Sequence, residues 1–545
     1  MTHAPSRRLL AAVSLAVAAA VFAAYLPSLG NGFVTWDDRE IILGNPEIRR
    51  IGWDTLSWML TTDHMSAYQP LGWLAYALVI RLQGLDPFGF HLASLLVHCL
   101  NAWLFFLLSW RLLRAVPSGE PGPAGLARLA GAASAALIFG LHPLQVETVA
   151  WATGLPDLLA SLFFLTSLAA YTAAWDGRGR GRRGLLALSF AAFAASGLCR
   201  WKGVFLPAAL AGFHALFPAR DREDRTAAWG ALAAFTALAG LIVLANTAAK
   251  VHGAGYAPQL RLAEAGSGVM LHAWKTLWPS DLIPLTELSA GLGPGRLLPL
   301  ALTAAVTAWA LAAWRRAPAA AVLWLCYLAA RVPPFALAGP GPVFAQDLHA
   351  YLACGAFHLA AGALLAWALG RAAPAGRTAL LAASGAAVLA CGVLTVRQGR
   401  VWKDGVSLWT HTLAVDEASH PARVNLAAAL IDQGRGEEAV IHLREQLARH
   451  PDDGVARFAL ERLLQRLGPV KPSPAHYHNN LGADLFNLGR LEEAACHLSK
   501  AVSLDPLAAR SHANLAGTLL SLGRTRSAER HRARWLALER TRKPR

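Results

Sequence analysis

The residues best suited to do chemistry in this chain are the adjacent carboxylates Asp37 and Asp38, set in the polar stretch Trp36-Asp37-Asp38-Arg39 just after a long apolar segment. A carboxylate in a partly desolvated crevice has its basicity raised, and within hydrogen-bond reach of a hydroxyl it can take the proton as that oxygen attacks. Acids are scarce here, and three more, Glu147, Asp157 and Asp347, also stand at the ends of apolar segments. They have a plainer account too: Asp157 follows Pro156 and suits the first turn of a helix, where a negative charge meets the helix dipole. Three cations share such positions, Arg200, Lys202 and Arg331. An anionic lipid phosphate suits groups of this kind, while snorkelling to headgroups or pairing with Glu147 or Asp347 explains them equally well.

The elements that must position these groups are hydrophobic. Of 545 residues 55% are apolar and 15% charged, and the mean hydropathy of +0.37 lies outside the soluble range. Long apolar runs recur from residue 9 to about residue 396, and the last 150 or so residues read as a charged, helical, soluble domain. The net charge of +16 sits mostly in short arginine clusters between the runs, which is the signature of membrane topology and excludes nucleic acid as the expected partner. Cys99, Cys199, Cys326, Cys354, Cys391 and Cys496 show no paired spacing and imply neither a disulfide framework nor a metal site. The run at 9–28 follows Arg7-Arg8 but is long for a cleaved leader, so a retained first helix is expected.

Spans are expected near 9–28, 91–110, 129–143, 157–175, 185–199, 203–217, 227–248, 297–314, 319–338, 350–369 and 378–396, about eleven in all. Alternate connections carry Arg111, Arg114 and Arg128, then Arg178, Arg180, Arg182 and Arg183, then Arg220, Arg222 and Arg225, then Arg315 and Arg316, then Arg371 and Arg377. Such loops belong to the cytoplasmic side, as does the N-terminus with Arg7 and Arg8. An odd number of spans puts the C-terminal domain on the far side with outer loops at 29–90 and 249–296. If 185–217 is a re-entrant hairpin the parity is unchanged. Segments 69–83 and 260–290 read as amphipathic helices at the outer interface, with Trp73, Tyr76, Trp274 and Trp278 in the headgroup zone.

The soluble end repeats. Leu426, Gly434, Ala439 and Pro451 recur as Leu481, Gly489, Ala494 and Pro506, and again as Leu515, Gly523 and Ala528. The last interval of 34 residues is the tetratricopeptide period, with Gly between two helices and a small Ala where they cross. The expected division is therefore a membrane domain at 1–398 and a repeat domain at 399–545. Repeats fall near 421–454, 475–508 and 509–542, with a degraded one at 455–474 broken by Lys471-Pro472-Ser473-Pro474. Stacked helix pairs of this kind form a groove for extended peptide or a partner protein, or serve as a plain spacer.

Several motifs stand in a recognisable order: Asn31-Gly32-Phe33-Val34-Thr35-Trp36-Asp37-Asp38, Asn45-Pro46, Gly84-Leu85-Asp86-Pro87-Phe88-Gly89-Phe90-His91, His98-Cys99-Leu100-Asn101 and His142-Pro143-Leu144-Gln145-Val146-Glu147-Thr148-Val149-Ala150-Trp151. In this the chain resembles, over nearly its whole length, the membrane family of transmembrane and tetratricopeptide repeat O-mannosyltransferases and their bacterial relatives. The resemblance implies an all-α fold: a polytopic helical bundle of the C-type glycosyltransferase kind, followed by a soluble α-solenoid. It implies a lipid donor in the membrane, a polyprenyl-phosphate-linked sugar, and inverting transfer to Ser or Thr hydroxyls of an acceptor protein held by the repeats. The base would lie within Asp37-Asp38, with Glu147, Asp157 and Asp347 as supporting acids. Arg39, Arg200, Lys202, Arg331 and His349 would bind the donor phosphate, and a divalent metal is left open.

Three departures concentrate where that phosphate would sit. Relatives carry arginine and lysine before the aspartate where this chain has Leu155-Pro156-Asp157, a lysine-glutamate pair where it has Arg200-Trp201, and arginine-tyrosine after the aspartate where it has Asp347-Leu348-His349. A non-catalytic membrane scaffold working through its repeats is the alternative, and a transporter a third. The Ala- and Arg-rich composition points to a bacterial inner membrane, with the repeats in the periplasm.

Overall fold

A computed structural model describes residues 5–66, 68–115, 124–175, 181–219, 221–248, 258–287, 294–336, 344–467 and 473–542. Parts of the loop expected at 249–296, the arginines Arg178, Arg180 and Arg220, and the break at Lys471-Pro472 lie outside the described residues. The chain forms two compact units, one of Met1–Asn31 with Glu40–Gly399, the other of Gly32–Arg39 with Arg400–Arg545.

The first unit is helical. Its helices are α1 (Arg7–Tyr25), α2 (Trp53–Thr61), α3 (Pro70–Gln83), α4 (Pro87–Ala115), α5 (Ala124–Leu141), α6 (Val146–Ala150), α7 (Leu155–Ala174) and α8 (Arg182–Cys199). They continue as α9 (Leu206–Leu216), α10 (Arg222–Ala248), α11 (Pro258–Leu277), α12 (Pro294–Ala312), α13 (Pro318–Ala336), α14 (Gly355–Arg371) and α15 (Pro374–Val401). Among the described residues strand pairing is confined to Thr286–Glu287 against Phe344–Ala345. Proline opens α3, α4, α11, α12, α13 and α15, where its missing N–H costs nothing. Ser6 caps α1 by accepting from the Leu9 amide.

Five helices among the described residues are long and apolar enough to cross a bilayer, six if the bent pair Gly125–Leu141 and Pro143–Ala150 is one span. This is an integral membrane protein. Other expected spans correspond to α8, α9 and α14, of 18, 11 and 17 residues, each shorter than the ~20 residues an upright crossing needs. Segment 69–83 departs from expectation more sharply. Trp73 and Tyr76 on α3 are buried instead of anchoring at headgroups, and the Tyr76 hydroxyl donates to the Thr153 carbonyl at 2.9 Å. Trp274 on α11 and Trp278 just past its end are exposed.

Small residues let the apolar helices approach closely. Gly131 and Ala135 on α5 face Gly362 and Ala366 on α14, and a Cβ added at either glycine would run into the other's carbonyl oxygen. With no hydrophobic effect to draw helices together within lipid, such backbone contact supplies much of the association.

The second unit is a run of helix hairpins: α16 (Gly405–Val415), α17 (His420–Asp432), α18 (Gly436–Arg449), α19 (Gly454–Leu467), α20 (Pro474–Asn487), α21 (Leu491–Leu504), α22 (Ala509–Ser521) and α23 (Thr525–Arg542). The turns of three hairpins use Gly434, Gly489 and Gly523 at φ 75°, 77° and 73°, a region that costs other residues about 1 kcal/mol or more. Gly32–Arg39 joins this unit through backbone and ring contacts. The Gly32 amide donates to the Lys403 carbonyl at 2.7 Å, Trp36 stacks on Trp409 at 4.8 Å, and Trp409 Nε1 donates to Thr35 Oγ1 at 3.1 Å.

Gly362→Val should lower the stability of the membrane unit by about 3 kcal/mol, because the obstacle is backbone and cannot rotate aside. Gly370→Ala on the same helix meets nothing within 4 Å and should be neutral or slightly stabilising. Thermal unfolding in detergent measures both, and equal midpoints for the two variants would refute the close-packing account.

Candidate active site

Interruptions in the helices of the first unit bring its scarce charges together. After α5 the chain turns at Pro143, where His142 Nδ1 accepts from the Leu144 amide at 3.2 Å and Nε2 donates to the Thr276 carbonyl at 3.0 Å. This turn presents Glu147 in the first turn of α6. Its Oε2 accepts from the Asp347 amide at 3.0 Å. Asp347 opens a short turn, Asp347–Ala350, and its Oδ1 accepts from Lys275 Nζ at 2.8 Å.

Lys275 and His272 stand three residues apart on α11, hence on one face. His272 Nδ1 lies 2.8 Å from Arg331 Nη2 and equally near the Gly268 carbonyl. Arginine has only donors, so Nδ1 must accept, and the ring proton sits on Nε2, 3.1 Å from the Gln346 carbonyl and 3.5 Å from Asp347 Oδ1. Burial, reinforced by the Arg331 charge, pushes His272 down to about 4, so it is neutral. Arg331 completes the group from α13, its Nη1 donating to the His349 carbonyl at 2.7 Å.

A second cluster forms where α8 ends. Arg200 adopts an extended conformation and Trp201–Phe205 winds a short turn, with Gly203 packed on Ser196. Lys202 Nζ then lies 2.6 Å from Asp157 Oδ1 and Arg200 Nε 3.2 Å from Oδ2. Asp157 is thus both a first-turn acid of α7 and an ion-pair partner. Asp157, Lys202 and His349 line one small cleft together with Ser161, Phe205 and Tyr351, which joins the two clusters.

The cluster holds more positive than negative charge. Arg200, Lys202, Lys275 and Arg331 face Glu147, Asp157 and Asp347, and among these seven only Arg200 and Lys202 keep appreciable exposure, each about 20% of the side chain. Burial pushes Lys202 down to about 8, against the pull of Asp157. Burial would raise Asp347, but Lys275 and His272 together hold its carboxyl below the usual value. Loss of solvent, with Lys202 and Arg331 nearby, keeps His349 well below its ordinary value. Asp157 and Asp347 each pair with a cation, and among the described residues no three metal-binding side chains converge, so the set offers no metal site.

Glu147, Asp157, Arg200, Lys202, Arg331, Asp347 and His349 all belong to this site. Asp37, Asp38 and Arg39 belong to the second unit. There Asp38 is buried and its Oδ2 accepts from the Val34 amide at 2.9 Å, Asp37 is half-buried, and Arg39 pairs with Asp432 at 3.6 Å near the surface. His272 and Lys275 are the site residues that sequence reasoning missed. Their spacing on one helix face was the available signal.

Lys275 and Asp347 are each 4% exposed in the side chain, so Lys275→Met strands a buried carboxylate and should cost about 3–5 kcal/mol. Adding Asp347→Asn should recover most of that loss. Urea or thermal unfolding of the single and double variants checks this, and a double variant no more stable than the single one would show the pair is not coupled.

No protein-family model matches the chain. Curated relatives do. Protein O-mannosyl-transferase Tmtc1 of Drosophila melanogaster is 30% identical over 163 residues, 28% of this chain and 17% of that protein. Protein O-mannosyl-transferase TMTC1 of Homo sapiens is 32% identical over 186 residues, 32% and 20% respectively, and Tmtc3 of Drosophila melanogaster 30% over 225 residues, 37% and 24%. The aligned part of the chain spans about a fifth of the length of these relatives. Over that aligned part the chain is similar to the TMTC protein O-mannosyl-transferases.

Proposed function

We propose that this protein is an inverting membrane glycosyltransferase that moves a sugar, mannose by analogy with the names of its relatives, from a polyprenyl-phosphate donor to Ser or Thr hydroxyls of envelope or secreted proteins. The observation that carries the proposal is the cluster of paired cations beside a cleft that Lys202 lines. Four cations against three carboxylates suit an anionic group, and an arrangement of fixed donors stabilises a departing phosphate at little reorganisation cost. Lys275, absent from the sequence-level set, supplies a cation where the departures near Leu155 and Leu348 remove others.

In the proposed reaction the acceptor oxygen bonds to the anomeric carbon as the bond from that carbon to the phosphate oxygen breaks. The hydroxyl proton goes to a carboxylate, and polyprenyl phosphate leaves as the anion. Asp38 Oδ2 accepts from the Val34 amide, and its neighbour Asp37 is the acid assigned to the proton. Arg200, Lys202 and Arg331 are assigned to the phosphate, His349 lines the cleft, and Arg39 is a weaker candidate given its exposed pairing with Asp432.

The hairpins with glycine turns support a tetratricopeptide solenoid in the second unit, whose role here is to hold the acceptor. A C-type glycosyltransferase bundle of about eleven crossings would use the short helices as tilted or re-entrant segments. Placement in a bacterial inner membrane with repeats in the periplasm rests on the arginine clusters and composition.

Membranes holding the native chain, supplied with polyprenyl-phosphate mannose and a Ser/Thr-rich acceptor, should transfer sugar, and Asp37→Asn should reduce the rate by about 10²–10⁴-fold. Unchanged transfer by the variant would remove Asp37 from the mechanism. Absence of transfer by the native chain with mannose, glucose and N-acetylglucosamine donors alike would favour the scaffold.

A further inference from the structure

Two successive hairpins of the second unit carry the same uncommon contact. His478 on α20 faces His497 on α21, and His512 on α22 faces His531 on α23; both pairs are 19 residues apart and bring Nδ1 within 3.0 Å of Nδ1. In each the ring centroids are 5.2 Å apart, longer than the nitrogen separation by two ring radii, so the rings meet head-on. Equivalent positions one repeat earlier hold Arg423 and His442, whose contacts differ.

An imidazole nitrogen either donates or accepts. At 3.0 Å one of the facing nitrogens must do each, so every pair holds a single proton on the line between its rings. The second pair shows which. His512 Nε2 lies 3.1 Å from the Pro506 carbonyl and so bears a proton, which leaves His512 Nδ1 bare and makes His531 Nδ1–H the donor. A metal ion on that line would need about 4 Å between the nitrogens; the observed gap has room only for a proton.

We propose that the His478–His497 and His512–His531 pairs are single-proton braces that lock α20 to α21 and α22 to α23, and that open when both facing nitrogens of a pair are protonated, loosening these hairpins in acid. The first added proton can go to an outer Nε2 and leaves the bridge intact with a stronger, charge-assisted bond. The next sets one N–H against another.

The surroundings oppose that extra charge. Burial comes first in holding His478, His497 and His531 below the ordinary imidazole value. Lys500 adds to it at His478 and Arg530 at His531, while Glu493 works the other way at His497. Of the other neighbours, Tyr477 meets His442, His476 meets Asn480, and Arg524 pairs with Glu492. Unfolded imidazoles bind protons near pH 6.5. Groups held lower in the folded state therefore contribute their full stability above that pH, and lose it as pH falls below.

Hydrogen exchange by mass spectrometry on the full chain in lipid nanodiscs, corrected for intrinsic rates, tests this. Between about pH 7.5 and about pH 5, peptides from α20–α23 should lose about tenfold in protection while those from α7 and α8 do not. The double variant His497→Asn and His531→Asn keeps an amide that can donate to or accept from the partner ring without titrating, and should show native protection at the higher pH with most of the acid loss removed. Equal protection of the native chain at both pH values, or the same acid loss in the variant, overturns the proposal. If the variant fails to fold, ring-labelled native chain decides: a nitrogen–nitrogen coupling across the bridge at pH 7.5 that vanishes at pH 5 supports the brace, and no coupling at pH 7.5 overturns it.

Discussion

The buried ion pair between Lys275 and Asp347 is the constraint around which the membrane unit is organised. Both groups leave water almost completely, and each on its own would carry a desolvation penalty of several kcal/mol. Their attraction offsets that penalty only if the geometry is held and the remaining lone pairs are satisfied. His272 approaches the same carboxylate oxygen from one helical turn away, and the Asp347 amide is taken by Glu147. Arg331 in turn fixes the tautomer of His272, so a change at any member reaches the others.

This requirement accounts for where the helices stop. Backbone in an apolar surrounding must satisfy its own hydrogen bonds, which favours unbroken helix except where a polar site is lined. The interruptions at Pro143–Gln145, Ala152–Gly154, Trp201–Phe205 and Asp347–Ala350 bracket the residues of the charged cluster. Two of these turns release carbonyls that buried side chains use: that of His349 accepts from Arg331, and that of Thr153 accepts from Tyr76. Close glycine-mediated packing of α5 on α14 keeps the scaffold rigid enough for these bonds to persist.

Much of the site was legible because charge is conspicuous in an apolar sequence. Glu147, Asp157, Arg200, Lys202, Arg331, Asp347 and His349 stand out against their neighbours, and the structure gathers them. Lys275 and His272 did not stand out, since α11 mixes polar and apolar residues and reads as a surface helix. Trp73 and Tyr76 misled for a related reason: an aromatic ring with a polar tip suits a headgroup zone and a buried hydrogen bond equally. The long helices followed from apolar run length, but short ones such as α9 carry no periodicity that separates a crossing from a half-buried turn. The attachment of Gly32–Arg39 to residues beyond 400 was invisible for a different reason. It rests on Thr35 and Trp409, 374 residues apart, and local pattern holds no record of such a contact.

That attachment bears on the proposed chemistry. Trp36 stacks on Trp409 and Thr35 bonds to both Trp409 and the Asn425 carbonyl, so the loop carrying Asp37 takes its shape from α16 and α17. A general base acts on the acceptor hydroxyl, and its efficiency depends on holding that oxygen at hydrogen-bond distance. If the repeats hold the acceptor, then base and acceptor share one rigid unit, and their mutual geometry is set by packing within it. Substitutions in α16 that disturb the Trp36–Trp409 stack would then act on the proton-transfer half of the reaction, although they lie among residues that look purely structural.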